Sequence, residues 1–228
     1  MYKPYLDALA DLFYPQRCIA CDRRANDLLC RECFEALPLI GRPVCRRCGM
    51  PTAFETFVCE DCKNVDFGFE SSRAPLRYEG VGKEIVHTLK YQGYMRVVDR
   101  LMTPLMLEVL QDPGRFDLVV PVPLHRSRFR RRGFNQSEIM ARSIGGRINA
   151  SVSDTLEVVR RTRDQVELSR TGRRENVRGA FRAHGPVSGN ILLIDDVFTT
   201  GATMSECADV LRRAGAREVH AMSLCRTC

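Results

Sequence analysis

Eight of the chain's 11 cysteines fall into four Cys-x-x-Cys pairs, Cys18/Cys21, Cys30/Cys33, Cys45/Cys48 and Cys59/Cys62, with gaps of 8, 11 and 10 residues between them. Two thiolates held two residues apart in a tight turn reach one Zn2+ at about 2.3 Å, and two such turns complete a tetrahedron. A segment of about 50 residues has too little core to fold alone, so metal supplies the missing stability. Two zinc sites are therefore expected. Joining each pair to its neighbour in sequence closes smaller loops than alternating them. That favours Cys18, Cys21, Cys30 and Cys33 at one metal and Cys45, Cys48, Cys59 and Cys62 at the other, over a cross-braced arrangement. Four thiolates leave no position for a catalytic water, and no histidine lies within the segment, so the zinc reads as structural. A disulfide-stapled secreted module is the competing reading. Against it, the N-terminal stretch MYKPYLDALADLFYPQRC carries two aspartates inside its apolar run, which does not fit a secretory signal.

The 228 residues are 44% hydrophobic and 28% charged, the balance of a chain that buries a core and not of a disordered or repetitive one. No apolar run approaches the ~18–20 residues of a membrane span. A cytoplasmic protein without membrane insertion is expected. The formal net charge is +7, but it is concentrated: residues 125–182 hold 15 arginines and no lysine against 6 carboxylates. Arginine suits planar, bidentate contact with phosphate oxygens, so charge alone points equally to nucleic acid and to a phosphorylated small molecule. Loading eight thiolates with two Zn2+ brings the total to about +3. The metal module is thus not itself basic.

Helical spacing of Tyr5, Leu6, Leu9, Leu12 and Phe13 predicts a short amphipathic helix over residues 2–14, ended by Pro15. The zinc segment runs to about Cys62, and residues 63–70 read as a linker. Residues 74–78 read as a strand and residues 82–91 and 96–111 as helices, with Pro104 starting or kinking the second. Beyond them the texture changes. Leu118–Val122 is an apolar run of the buried parallel-strand type. A helix over 137–148 follows, then strands at 156–159 and 191–194, a helix over 201–214 stopped by Gly215, and a last strand at 218–224. This order predicts an α/β domain with a parallel sheet flanked by helices. Residues 160–182 form a long, arginine-rich connection, and loops of that length in a compact domain are usually functional.

The most informative stretch is Ile191-Leu192-Leu193-Ile194-Asp195-Asp196-Val197-Phe198-Thr199-Thr200-Gly201-Ala202-Thr203. Four apolar residues make a buried strand, two carboxylates follow, and a hydroxyl-rich loop opens a helix. Ligands of open α/β sheets bind outside the carboxyl ends of the strands. A loop of small residues at a helix start presents N–H groups and a positive dipole to a phosphate. Paired acids facing the same crevice accept hydrogen bonds from sugar hydroxyls or stabilise positive charge.

This stretch resembles the 5-phosphoribosyl-1-pyrophosphate (PRPP) binding motif of type I phosphoribosyltransferases. That motif reads four hydrophobics, two acids, two hydrophobics, Thr or Ser, then Thr-Gly and Thr. Other parts of the chain are similar to the ComF family (also called ComFC or GntX) of bacterial competence and DNA-utilisation proteins. They are the N-terminal Cys-x-x-Cys pairs, Leu89-Lys90-Tyr91, Val120-Pro121-Val122-Pro123-Leu124, Arg132-Gly133-Phe134-Asn135-Gln136, and the block from Arg170 through Asn176-Val177-Arg178-Gly179-Ala180-Phe181. The resemblance runs from about Cys18 to Arg226.

The resemblance implies a type I phosphoribosyltransferase fold over residues 67–228, with a hood at about 71–112 and a core at 113–228, behind a helix and double zinc ribbon at 1–66. It implies that Thr199, Thr200, Gly201, Ala202 and Thr203 cradle the ribose 5-phosphate. Asp195 and Asp196 would then hold the 2- and 3-hydroxyls beneath the anomeric carbon. Pro123, Leu124 and His125 begin the pyrophosphate loop, with Arg128 and Arg132 as its cations. Gln165, Arg170 and Arg174 belong to a loop closing over pyrophosphate, and Lys90 of the hood would contact phosphate or acceptor. Mg2+ would accompany PRPP. The expected activity is transfer of a phosphoribosyl group to a nitrogenous acceptor in DNA uptake or utilisation. The alternative is a protein that senses PRPP or binds single-stranded DNA or DNA-processing proteins without turnover. His87, His184 and His220 read as packing or surface residues and Cys207 as a small buried hydrophobe. Cys225 is expected to pack on the final strand, leaving Cys228 free.

Overall fold

The structure is a computed structural model that describes residues 17–63, 65–92, 97–160 and 170–228; the helix expected over residues 2–14 and Gln165 lie outside them. Short helices α1 (Arg31–Glu35) and α2 (Glu60–Lys63) belong to the cysteine-rich segment. Then come β1 (Ser71–Arg73), β2 (Leu76–Arg77) and α3 (Gly80–Gln92). A π-helical turn at Val98–Met102 runs into α4 (Thr103–Val109). Pro104 sits in the first turn of α4, where its missing N–H is tolerated, so the helix expected over 96–111 divides there. The α/β part continues with β3 (Leu118–Pro121), α5 (Arg126–Arg132), α6 (Gln136–Ile148), β4 (Ser151–Val152) and β5 (Leu156–Val158). It closes with α7 (Arg170–Val177), β6 (Phe181–Ala183), β7 (Asn190–Phe198), α8 (Ala202–Arg213) and β8 (Glu218–Arg226).

The run Ile191–Ile194 is buried on both faces of the sheet, and the fold is arranged to cover it. Among the described residues the strands stand in the order β1-β8-β7-β3-β4, with β2 also on β8, and each of these pairs is parallel. Ile191 and Leu193 face one side, Leu192 and Ile194 the other, as the two-residue period of a strand requires. Leu192 and Ile194 pack with Ile85, Leu89, Met102, Met140 and Ile144 from α3, the π turn and α6. Ile191 and Leu193 pack with Met204, Cys207, Ala208 and Leu211 of α8. Each of these buried Ile, Leu and Met side chains contributes about 1.5–3 kcal/mol relative to exposure.

The zinc module is shared between the two faces. Cys18, Leu29 and Cys33 join the first core. Cys45, Cys48 and Cys62, with Phe67 and Phe69, join the second. Residues 71–77, at the start of the segment expected as a hood, add β1 and β2 to the sheet edge beside β8.

Two strand expectations need correction. The apolar run at 156–159 does not enter the parallel sheet. It pairs antiparallel with β6, Leu156 opposite Ala183 and Val158 opposite Phe181, and so makes the stem of the long arginine-rich segment. The sheet position is taken by β4, two residues with one exposed, which Leu118 and Val119 of β3 pair with directly. The last two strands also run further than their apolar cores. Asp195 pairs with Ser223 and Phe198 with Arg226, so both acids are strand residues and not part of the following turn.

Candidate functional site

The eight cysteines form two clusters, Cys18, Cys21, Cys30 and Cys33, and Cys45, Cys48, Cys59 and Cys62, each with its Sγ atoms within 4.8 Å of one another. The sequential pairing is the one observed. Tetrahedral Zn–S bonds of 2.3 Å place sulfurs about 3.8 Å apart. The Cys21–Cys30, Cys48–Cys59 and Cys59–Cys62 sulfurs lie 3.7, 3.7 and 3.6 Å apart, so the donor set fits zinc. Both ribbons use the same device. The first pair sits in a turn in which Asp22 N bonds Cys18 O at 2.9 Å and Gly49 N bonds Cys45 O at 2.9 Å. Asp22 and Gly49 both have positive φ. The second pair rides on α1 or α2.

One thiol in each cluster is drawn toward the metal-binding thiolate. Arg23 Nε donates to Cys21 Sγ at 3.4 Å and draws that thiol down to about 6. Burial works against ionisation of Cys45, but backbone donors of Cys48, Cys59 and Arg47 outweigh it and bring the thiol down to about 7. Burial pushes the Cys33 and Cys62 thiols up. Binding of zinc must therefore expel their protons.

Across the sheet, the acids of β7 meet the start of α6. Asn135 caps that helix, its Oδ1 accepting from Ser137 N at 3.1 Å while its Nδ2 donates to Val122 O at 3.0 Å. This cap brings Gln136 and Ser137 against β7. Ser137 Oγ donates to Asp195 Oδ1 at 2.9 Å, and Gln136 Nε2 donates to Asp196 Oδ2 at 3.0 Å. Asp196 N also donates to Asp195 Oδ1 at 2.9 Å. Gln136 is 4% exposed, and its Oε1 has no hydrogen-bond partner among the described residues. The sequence reading missed Gln136 and Ser137. The signal available was an Asn–Gln–Ser helix opening after Gly133, itself left-handed at φ 81°.

Thr199 and Thr200 leave the end of β7, and Gly201, at φ 74°, turns the chain into α8. A Cβ at Gly201 would lie 2.6 Å from Phe198 and 2.8 Å from Phe67, so only glycine fits. Thr200 Oγ1 accepts from Ala202 N at 3.4 Å, and Thr203 stands in the first turn of α8. Thr227 secures the loop from β8, bonding Phe198 O at 2.9 Å and Thr199 O at 3.2 Å.

Pro123 and Leu124 follow β3 directly, and Val122 N bonds Ile194 O at 2.8 Å, so this loop lies beside the acids. His125 caps α5, its Nδ1 accepting from Ser127 N at 3.2 Å, a local structural duty. Arg128 and Arg132 lie on α5, and the Arg132 Nε is buried without a partner among the described residues. Lys90 belongs to α3 and Arg170 opens α7. Arg174, on α7, comes to Thr199 and Thr200 across a 310 Å³ cleft that is also lined by Cys48, Cys62 and Phe67. Cys207 is fully buried, and burial pushes its thiol up. Cys225 is buried on β8, whereas Cys228 is exposed. His184 lies at the surface and His220 is buried. Among the described residues no helix is long and apolar enough to cross a membrane.

A family model described as a double zinc ribbon domain matches residues 9–63. The DNA utilization protein YhgH of Salmonella typhimurium is 34% identical over 194 residues, covering 81% of this chain and 84% of that protein. Competence protein ComFC of Streptococcus pneumoniae is 30% identical, covering 90% of each. Competence protein F of Haemophilus influenzae is 26% identical, covering 94% of this chain and 98% of its own.

Proposed function

The chain belongs to the ComF/ComFC family of DNA-utilization and competence proteins, and from that premise we propose that it binds PRPP at the carboxyl end of β7 and transfers its phosphoribosyl group. One observation carries the reading: two buried or half-buried acids and a Thr-Thr-Gly loop follow one another on a central strand, opening on the start of a 12-residue helix. In this reading Thr199–Thr203 hold the 5-phosphate through loop N–H groups, hydroxyls and the helix dipole. Asp195 and Asp196, oriented by Ser137 and Gln136, accept from the ribose hydroxyls.

The reaction is a displacement at the anomeric carbon. The bond to pyrophosphate breaks with its electron pair leaving on oxygen, and an acceptor nitrogen forms the new bond and loses its proton to water. Positive charge develops on the ring as the bond breaks, and the two carboxylates below it stabilise that charge. Arg128 and Arg132, on α5, offer cations to the leaving group. The oxygen donors Asp195, Asp196 and the unpartnered Gln136 Oε1 suit a hard cation. Mg2+ carried mainly on PRPP oxygens would neutralise the departing pyrophosphate.

Thermal stabilisation by Mg2+–PRPP, followed by pyrophosphate release across a panel of bases and DNA, tests the reading. Stabilisation and release support a transferase, and absence of any Mg2+-dependent stabilisation contradicts it. Stabilisation without release favours a second reading, a PRPP-responsive binder of single-stranded DNA. One feature favours that alternative. Phe54 and Phe57 on the second ribbon are 73% and 71% exposed, and the Arg46 guanidinium lies 4.4 Å over the Phe57 ring. Exposed aromatics beside arginines are how sequence-tolerant strands are held. Salt-dependent DNA binding lost on changing Arg128, Arg131 and Arg132 to Ala would place DNA on α5 instead.

A further inference from the structure

The cleft beneath the second zinc ribbon is a binding site in its own right, and we infer that it takes the planar, neutral heteroaromatic ring of the nucleotide whose phosphate occupies the Thr199–Thr200 loop. The inference rests on the phosphate reading of that loop and adds what lies next to it. The cleft measures 310 Å³, at the lower end of the ~300–1,000 Å³ typical of small-molecule pockets. It opens where ligands of parallel sheets bind, at the carboxyl ends of β7 and β8. Its lining residues come from the second ribbon and the linker after it, from the ends of β7 and β8, and from α7, and none comes from the described residues of 71–112, where acceptor contacts were expected.

The walls are stiff. Arg226, only 3% exposed, donates to Cys48 O and contacts Met50 Sδ at 3.6 Å, while its guanidinium stands 5.1 Å from the Phe198 ring centre. Phe67 stacks on Phe69 at 4.7 Å and fills the space beside Gly201. Gly49 approaches the sheet so closely that a Cβ there would meet Ser72 O at 2.6 Å. The ribbon is therefore seated on the core before any ligand arrives, and a preformed cleft binds at a lower entropic cost.

The lining also selects the chemistry. Met50, Val65 and Phe67 give an apolar wall, and Asp61 and Arg174 place an acceptor and a donor at the rim. That pairing matches a ring carrying both N–H and C=O edges. Cys48 and Cys62 belong to a four-thiolate cluster whose net charge with Zn2+ is about −2. The Arg174 and Arg226 cations on the same lining offset that charge, so a ring of no net charge suits the cleft.

The test uses the zinc-loaded full chain, with ribose 5-phosphate and the four monophosphates AMP, GMP, CMP and UMP as probes. Base stacking and its polar edges predict at least one monophosphate binding about tenfold more tightly than ribose 5-phosphate. The same nucleotide should slow alkylation of Cys228, which lines the cleft and is exposed, several-fold more than ribose 5-phosphate does. Val65→Trp, which fills the cleft from a residue that is not a metal ligand, should reduce that nucleotide to the affinity of ribose 5-phosphate. The wild-type alkylation result stands even if the variant fails to fold. Equal binding of all five probes, or no nucleotide-specific protection of Cys228, overturns the ring site while leaving the phosphate loop intact. Failure of ribose 5-phosphate and every monophosphate to bind overturns the phosphate reading and this inference with it.

Discussion

Ser137 and Gln136, two neutral side chains on another element, each donate to one of the β7 acids, Asp195 and Asp196. Ser137→Ala removes the donor that holds Asp195 at 2.9 Å without changing charge. It is expected to weaken Mg2+–PRPP binding by about three- to tenfold, the worth of one hydrogen bond of ~1 kcal/mol, with zinc content unchanged by elemental analysis. Gly201 makes a different kind of demand. Its φ of 74° and the Phe198 and Phe67 rings beside it leave no place for a Cβ. Gly201→Ala should therefore cost at least ~1–3 kcal/mol in urea unfolding, and a cost near zero would mean that the loop relaxes freely.

Strand β8 couples the sheet edge to pH. His220 lies opposite Ser71 of β1, with its Nδ1 2.8 Å from the Ser71 hydroxyl. Burial holds its imidazole below the ordinary 6.5, against the opposing pull of Glu218. The folded protein thus carries a neutral His220 at pH values where the unfolded chain binds a proton. Its contribution is present above about pH 6.5 and is lost as pH falls through that value. Glu218, held low by His220 and Arg115, adds a loss that begins only in the carboxylate range. Urea midpoints should fall from about pH 7.5 to about pH 5.5, and fall less in His220→Gln; parallel curves would contradict this assignment.

Elements of this kind were unequally legible. Ile191–Ile194 and Leu118–Val122 announce buried strands because apolar runs of that length fit little else in an α/β chain. Two-residue β4 carries no periodicity, and Leu156–Val159 reads as a core strand although its backbone pairs with β6. The acids and threonines stand together in the sequence and were readable there. Gln136 and Ser137 reach them across about 60 residues of chain, through contacts that only the fold creates.

At the scale of the molecule, the two zinc ribbons occupy opposite faces of one sheet. The first packs with α3 and the π turn, and the second with α8 and the strand that carries the acids. Their loss should therefore differ in kind. Cys18→Ser and Cys45→Ser are each expected to lower zinc from two to one per chain and to reduce thermal stability. Only Cys45→Ser should also weaken Mg2+–PRPP binding, because its cluster supplies the wall beside Thr199 and Thr200. Equal effects on binding would make the ribbons interchangeable supports. This coupling was not legible in sequence, since the cleft joins Cys48 to Cys228.

The claim beneath all of this is that the end of β7 seats a sugar phosphate. Calorimetric titration of Mg2+–PRPP into the zinc-loaded chain and its Asp195→Asn variant tests it most directly. Saturable binding at one site per chain, weakened at least tenfold in the variant while both zinc ions are retained, is the predicted result. Absence of binding to the wild type, or identical binding to both proteins, would contradict it.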